Sequence, residues 1–241
     1  MEPSEEPGCS LFRRSVARLL GEVRMESPRA GLGPISFACG RFLYGIARAL
    51  AEARGSLRAL EVGTGLGYSS LWLGLGLLDA GVPGVLYTIE EHEERARRAE
   101  AYLGRAGLSG RVEVLCGEAE ELIPSLEGDL DLVFLDPGAV GHLAHAQLAE
   151  PKMRTGAVLL THDVLDLLAW GTPELLKEIT IYGPWITVIL PLDQYGLTFS
   201  VKTGERPDRR ARLAQRPSQF GAQRCQSTWS ASSKHSTKPK R

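Results

Sequence analysis

Large apolar residues recur at helical spacing twice near the start of the chain, as Phe12, Val16, Leu19, Leu20 and Val23, then as Phe42, Leu43, Ile46 and Leu50. Ser27, Pro28, Gly31, Gly33 and Pro34 punctuate the interval, so the pattern predicts a helical cap before the main domain. From Leu57 onward short β-prone runs take over: Leu57 to Val62, Val85 to Glu90, Val112 to Cys116, Leu130 to Asp136 and Gly156 to Thr161. Helical stretches separate them. The clearest is Glu91 to Gly107, where Ala96, Ala99, Tyr102, Leu103 and Ala106 form a narrow stripe and Glu93/Arg97 and Glu94/Arg98 stand at i,i+4 spacing. Apolar strands alternating with helices imply a parallel sheet covered on both faces. Two last runs, Pro184 to Leu190 and Gly196 to Lys202, are joined by a turn too short for a parallel crossover and predict an antiparallel hairpin at a sheet edge. The fold class is α/β, a doubly wound Rossmann-like sheet with an N-terminal helical cap.

Composition sharpens the boundaries. The chain of 241 residues balances 28 Lys+Arg against 29 Asp+Glu, but residues 204 to 241 hold ten basic residues against Glu205 and Asp208. That tail is net positive, poor in large apolar residues and expected to be disordered. A basic tail offers contacts to RNA phosphates, and a solvated extension accounts for its composition equally well. The domain reading is 1–35 as N-terminal helical extension, 36–203 as the core domain and 204–241 as basic tail. No run approaches the roughly 20 apolar residues of a membrane span, and the acidic start MEPSEEP lacks the order of a signal peptide, so a cytoplasmic protein without membrane contact is expected. Cys9, Cys39, Cys116 and Cys225 form no CxxC pair, which leaves separate reduced thiols as the default.

The strongest local signal is Leu60-Glu61-Val62-Gly63-Thr64-Gly65-Leu66-Gly67-Tyr68-Ser69-Ser70, an apolar strand entering glycines and then a helix. Such glycines let the backbone approach a ligand. The spacing is G-x-G-x-G after an acid. It is neither the G-x-G-x-x-G that seats a pyrophosphate nor a Walker-type G-K-[ST]. Glu90 ends the second strand, where an ionised carboxylate can accept both hydroxyls of a ribose. Gly117-Glu118-Ala119 follow the third strand, where a nucleoside base can lie against the backbone.

These segments resemble a class I S-adenosylmethionine-dependent methyltransferase, and more narrowly the catechol and caffeoyl-CoA O-methyltransferase group. The resemblance spans roughly residues 30 to 203. It is carried by ALEVGTGLGYSS (59 to 70), the stretch from Leu86 to Leu122, DLDLVFLDP (129 to 137), GAVLLTHDVL (156 to 165) and the closing PLDQYGLTFSVK (191 to 202), which has one residue more than the group's ending between Pro191 and Gly196. It implies a seven-stranded sheet and S-adenosyl-L-methionine as cofactor. By position, Glu61, Gly63, Thr64, Gly65, Gly67, Tyr68 and Ser69 face the methionine part and the loop, Glu90 holds the ribose, and Gly117, Glu118 and Ala119 border the adenine, with Asp136 at the reacting end.

The resemblance also implies a divalent metal, magnesium, manganese or another, held by an Asp after the fourth strand and an Asp-Asn pair after the fifth. Asp136 matches the first, but His162-Asp163 stands where the pair is expected. Asp136, His162 and Asp163 thus form the metal set, and an imidazole in it suits manganese, iron or zinc better than magnesium. The group's Lys is replaced by Ala139, so His162 or His142 is the expected proton acceptor. His142 and His145, three residues apart on a helix, are by default exposed. The implied activity is O-methylation of a small hydroxylated, catechol-like acceptor by a homodimer. RNA or protein as the acceptor, or adenosylmethionine binding without catalysis, are the competing readings.

Overall fold

In the computed structural model, the residues described are 13–138, 140–165 and 172–204. The tail reading, Phe12, Ala139, Cys9 and Cys225 lie outside them. A seven-stranded sheet runs in the order β3-β2-β1-β4-β5-β7-β6. Its strands are β1 (Leu57–Val62), β2 (Gly84–Glu90), β3 (Val112–Cys116), β4 (Leu130–Leu135), β5 (Met153–His162), β6 (Trp185–Leu190) and β7 (Leu197–Lys202). β1 to β5 run parallel to one another, while β7 is antiparallel to both β5 and β6. The expected hairpin is present, and its second strand inserts between β5 and the edge strand β6.

β4 is buried along its whole length, as a central strand covered on both faces must be. One core layer holds α1 (Arg14–Glu26), α2 (Phe37–Arg54) and α3 (Tyr68–Asp79), with Leu43, Leu71, Trp72 and Phe134 fully enclosed. The other gathers α5 (Ala119–Ser125), α6 (His142–Ala149) and α7 (Thr172–Lys177) around Leu60, Val133 and Leu159. Ser36 caps α2 by accepting a hydrogen bond from Cys39 N at 3.0 Å, a contact worth about 1 kcal/mol.

One expected feature of α4 (Glu93–Arg105) is corrected. The i,i+4 pairs Glu93/Arg97 and Glu94/Arg98 give way to Arg97–Glu94 and to Arg98–Glu26, the latter reaching α1, where Glu26 also accepts from Tyr102. Arg105 adds a forked contact with Glu22 at 2.6 and 2.7 Å. Arg97 keeps a local partner one residue nearer, whereas Arg98 exchanges its local partner for Glu26, which also fastens the cap against α4.

Candidate functional site

Consider first the turn after β1. Gly63 N and Thr64 N both donate to Ile89 O (3.0 and 3.2 Å), while Asp136 N donates to Val62 O at 2.9 Å. The turn is therefore wedged between the ends of β2 and β4. Gly63 has φ +97°, and a Cβ there would lie 2.0 Å from the Asp136 carbonyl oxygen. Its glycine is required by this backbone crossing before any ligand is considered, a stricter reason than the ligand approach expected from sequence. Gly65 N donates to Glu90 Oε2 at 2.8 Å, and Leu32 lies over Gly65 from the cap.

Glu61 is fully buried beneath this turn. Its Oε2 accepts from the Ser70 and Thr88 hydroxyls, while Oε1 has no hydrogen-bond partner. Burial pushes its carboxyl up to about 7, against the lowering effect of the hydroxyls of Ser69, Ser70 and Thr88. Thr64 turns inward to Thr88 (2.6 Å), and the Tyr68 ring lies under the Arg24 guanidinium at 5.7 Å. The side chains of Thr64 and Tyr68 thus serve the scaffold, leaving their backbone to the crevice.

Glu90 ends β2 with its carboxylate held by Gly65 N on one oxygen and His92 N (3.1 Å) on the other. Each oxygen keeps a further lone pair, so the group remains an acceptor for a diol. Gly117 N donates to Glu90 O at 3.0 Å, which sets Gly117, Glu118 and the start of α5 at Ala119 beside it. The glycine turn, Glu90, Gly117–Ala119 and Asp136 thus converge at the carboxyl ends of neighbouring parallel strands, the crevice where open α/β sheets take ligands. Two surface hollows of about 460 and 690 Å³ lie elsewhere, against α4/β3 and beside Lys202, and neither reaches this turn.

The next strand ends bring the acids together. His162 closes β5, 3% exposed. Its Nδ1 is 3.0 Å from Asp163 Oδ1 and 3.5 Å from Asp136 Oδ1, and its Nε2 is 3.1 Å from Asp193 Oδ2. Burial works against charge on this ring, but the hydrogen bonds to Asp136, Asp163 and Cys39 prevail and hold it far above the ordinary histidine range. Asp163 sits at φ +61°, a left-handed conformation uncommon outside glycine, which turns its carboxylate back toward the ring. Asp136, His162 and Asp163 each present a ligand atom within 4.8 Å of the other two.

His142 and His145 contradict the expectation of exposure: both are buried. α6 is apolar nearly all round and packs against α5, α7 and the central strand β4, so both rings are shielded from solvent. His145 Nε2 meets Glu120 Oε1 at 3.1 Å. His142 lies against the His162 backbone, completes no hydrogen bond of good geometry from either nitrogen, and is pushed below the ordinary histidine range by burial.

Asp193 and Cys39 were not singled out from sequence. Asp193 lies in the β6–β7 turn, where its Oδ1 accepts from Tyr195 N and Gly196 N, both at 3.1 Å. An acid two residues before a turn amide was the available signal. The contact of Cys39 with His162 spans most of the domain and left no local trace.

Matches to known proteins fit this geometry. A methyltransferase-domain model matches residues 60–164, from the glycine turn to just past Asp163, and places the chain in the methyltransferase class. It is 37% identical over 150 residues to a catechol O-methyltransferase of Mycobacterium tuberculosis, a match covering 62% of this chain and only 64% of that protein. It is 30% identical over 168 residues to a protein of Mycobacterium bovis named "Putative O-methyltransferase", with 67% of this chain and 72% of that one covered. The O-methyltransferase from Bacillus cereus, solved in complex with SAH, superposes with TM-score 0.66 at 25% identity, covering 77% of this chain and 91% of that one. The chain belongs to the O-methyltransferase family.

Proposed function

We propose that this protein transfers a methyl group from S-adenosylmethionine to a hydroxyl of a small, catechol-like acceptor. The observation that carries the reading is the placement of Asp136, His162 and Asp163 at two strand ends beside a glycine turn tied to Glu90. Glu90 would accept the ribose hydroxyls, the Gly63–Ser69 turn would hold the methionine part, and Gly117–Ala119 would border the adenine. The cofactor, when bound, supplies an electrophilic methyl group. The task left to the chain is to orient an oxygen in line with it, exclude water and remove a proton.

The two histidines divide that work. His162 is flanked by carboxylates at both nitrogens and is held charged, which disqualifies it as the base. His142, neutral and without a well-formed hydrogen bond, keeps a lone pair, and because its ring is buried it would take the acceptor's proton only when the acceptor or a relaying water reaches it. It replaces the base that the family's Lys provides where this chain has Ala139.

A divalent ion fits beside them. Asp136, Asp163 and, once its Nδ1 proton has been released to solvent on metal binding, His162 Nδ1 would form the donor set, with Asp193 holding the Nε2–H of the ring, as a carboxylate orients a metal-ligating histidine. Such an ion, manganese, iron or zinc before magnesium, would lower the pKa of a chelated hydroxyl.

Among the described residues no helix is long and apolar enough to cross a membrane. The edge strand β6 exposes Ile186 (67%) and Val188 (51%), a surface suited to the homodimer that the resemblance implies.

The test is calorimetric binding of S-adenosylhomocysteine by the parent and by Gly65→Arg, with radiolabelled methyl transfer to a catechol panel in manganese. Binding lost in the variant and turnover by the parent support the proposal. Absence of binding overturns it, and binding without turnover under any metal or pH leaves a non-catalytic adenosylmethionine-binding protein.

A further inference from the structure

The imidazole of His162 has a second face. Its Nε2 faces Asp193 and not Asp136 or Asp163, and Cys39, His162 and Asp193 each offer a ligand atom within 4.8 Å of the others. We propose that these three residues form a thiophilic metal site, taking a zinc- or cadmium-like ion, that competes with the acceptor-side site for the same ring.

Three elements far apart in sequence build it. Cys39 sits in the first turn of α2, whose capping residue Ser36 also reaches Leu192 O at 3.5 Å and so ties α2 to the β6–β7 turn. Asp193 is fixed in that turn by the Tyr195 and Gly196 amides on Oδ1, leaving Oδ2 aimed at Nε2. His162 is fixed from behind, because Nδ1 faces Asp163 at 3.0 Å. The ligating carboxylate and the ligating imidazole would therefore each carry the supporting hydrogen bonds that well-made metal sites show.

Chemistry selects the ion. Thiolate, imidazole and one carboxylate form a set for zinc, cobalt or cadmium and a poor one for magnesium or calcium. Cys39 and His162 are both buried and Asp193 is partly exposed, so the site would hold the ion from within and leave its fourth position to water, whereas the Asp136/Asp163 face opens to the crevice. Binding expels the Cys39 Sγ proton and the His162 Nε2 proton to solvent and leaves Nδ1–H donating to Asp163. With its nitrogen lone pair so engaged, the ring cannot serve a metal at the acceptor side. A thiophilic ion at the rear therefore switches off metal-supported methyl transfer, a consequence that rests on the proposed activity, while the site itself does not.

Two arms separate those claims. Cobalt(II) titrated into the full-length protein is expected to give a thiolate-to-cobalt charge-transfer band saturating at one equivalent, kept in Cys116→Ser and Asp163→Asn and lost in Cys39→Ser. No band, or one that survives Cys39→Ser, overturns the site. If Cys39→Ser fails to fold, cadmium NMR of the parent decides: a resonance shifted by one sulfur ligand supports the site, and an all-oxygen/nitrogen shift sinks it. In the second arm, zinc inhibits manganese-supported transfer by the parent, and Cys39→Ser requires at least about tenfold more zinc. Equal sensitivity of the two overturns the switch. A protein with the cobalt band and no transfer under any condition places the failure in the activity and not in the site.

Discussion

Gly63→Ala tests whether the glycine turn is held by its crossing with β4. The residue sits at φ +97°, and an added Cβ would be 2.0 Å from Asp136 O and 2.7 Å from the same carbonyl carbon. The left-handed backbone alone costs an alanine roughly 1–2 kcal/mol. Relieving the contact requires the turn or the end of β4 to move by about 1 Å, and overpacking of that kind costs roughly 1–3 kcal/mol. The sum, roughly 2–5 kcal/mol, is a large share of the roughly 5–15 kcal/mol that stabilises a typical domain. Gly81→Ala is the control: it has φ +68° with nothing within 4 Å of the new Cβ, so it should show the backbone part alone. Urea unfolding should place the midpoint of Gly63→Ala well below that of Gly81→Ala at similar slope. The displaced Asp136 backbone should also weaken S-adenosylhomocysteine binding by more than about tenfold. Equal losses in the two variants, with binding intact, would refute the crossing as the reason for this glycine.

Three further outcomes are expected. Glu90→Ala removes a charge-assisted acceptor worth roughly 1.5–3 kcal/mol and should raise the Kd for S-adenosylhomocysteine about 10- to 100-fold by calorimetry, with the variant's fold unchanged by circular dichroism. Glu61, raised on folding from 4.5 to about 7, contributes stability that is complete below pH 4.5 and lost as pH rises through 7; relative to Glu61→Gln, the parent should lose about 3 kcal/mol across that window in pH-resolved urea titrations, and parallel curves would count against it. If the proposed homodimer forms through β6, Ile186→Lys with Val188→Lys should convert it to a monomer in sedimentation, and an unchanged sedimentation coefficient would remove β6 as the interface.

Much of this architecture could be read from the chain, for identifiable reasons. β1 and β4 are buried almost throughout because both their faces are covered, with Arg58, Glu61 and Asp131 as their polar interruptions, and the glycine turn announces a strand-to-helix junction. β5 was read as starting at Gly156 although it begins at Met153, because its first turnings outward, Arg154 and Thr155, are exposed. Asp136, His162 and Asp163 were legible because parallel strands deliver their ends to one crevice. Burial of His142 and His145 was not, since spacing on a short helix does not say which layer covers it. Nor were the pairing of Arg98 with Glu26 and the contacts of His162 with Cys39 and Asp193, because each partner lies on another element and only the packing brings it near.

The charge of the cluster explains why this crevice should collect cations. Asp136, Asp163 and Asp193 surround a single imidazolium, so a largely buried group carries more negative charge than the ring offsets. A sulfonium or a divalent ion arriving there supplies what the side chains lack. His162→Ala carries the argument to its limit, because it leaves three carboxylates facing one another. Removing one partner of such a group costs roughly 3–5 kcal/mol, and an ion present at about a hundred times its Kd returns about 2.7 kcal/mol. Manganese should therefore raise the melting temperature of His162→Ala by more than it raises that of the parent, even though a ligand has been lost. If manganese stabilises the parent alone, the imidazole acts as a metal ligand first and the excess of carboxylate charge is not what draws the ion.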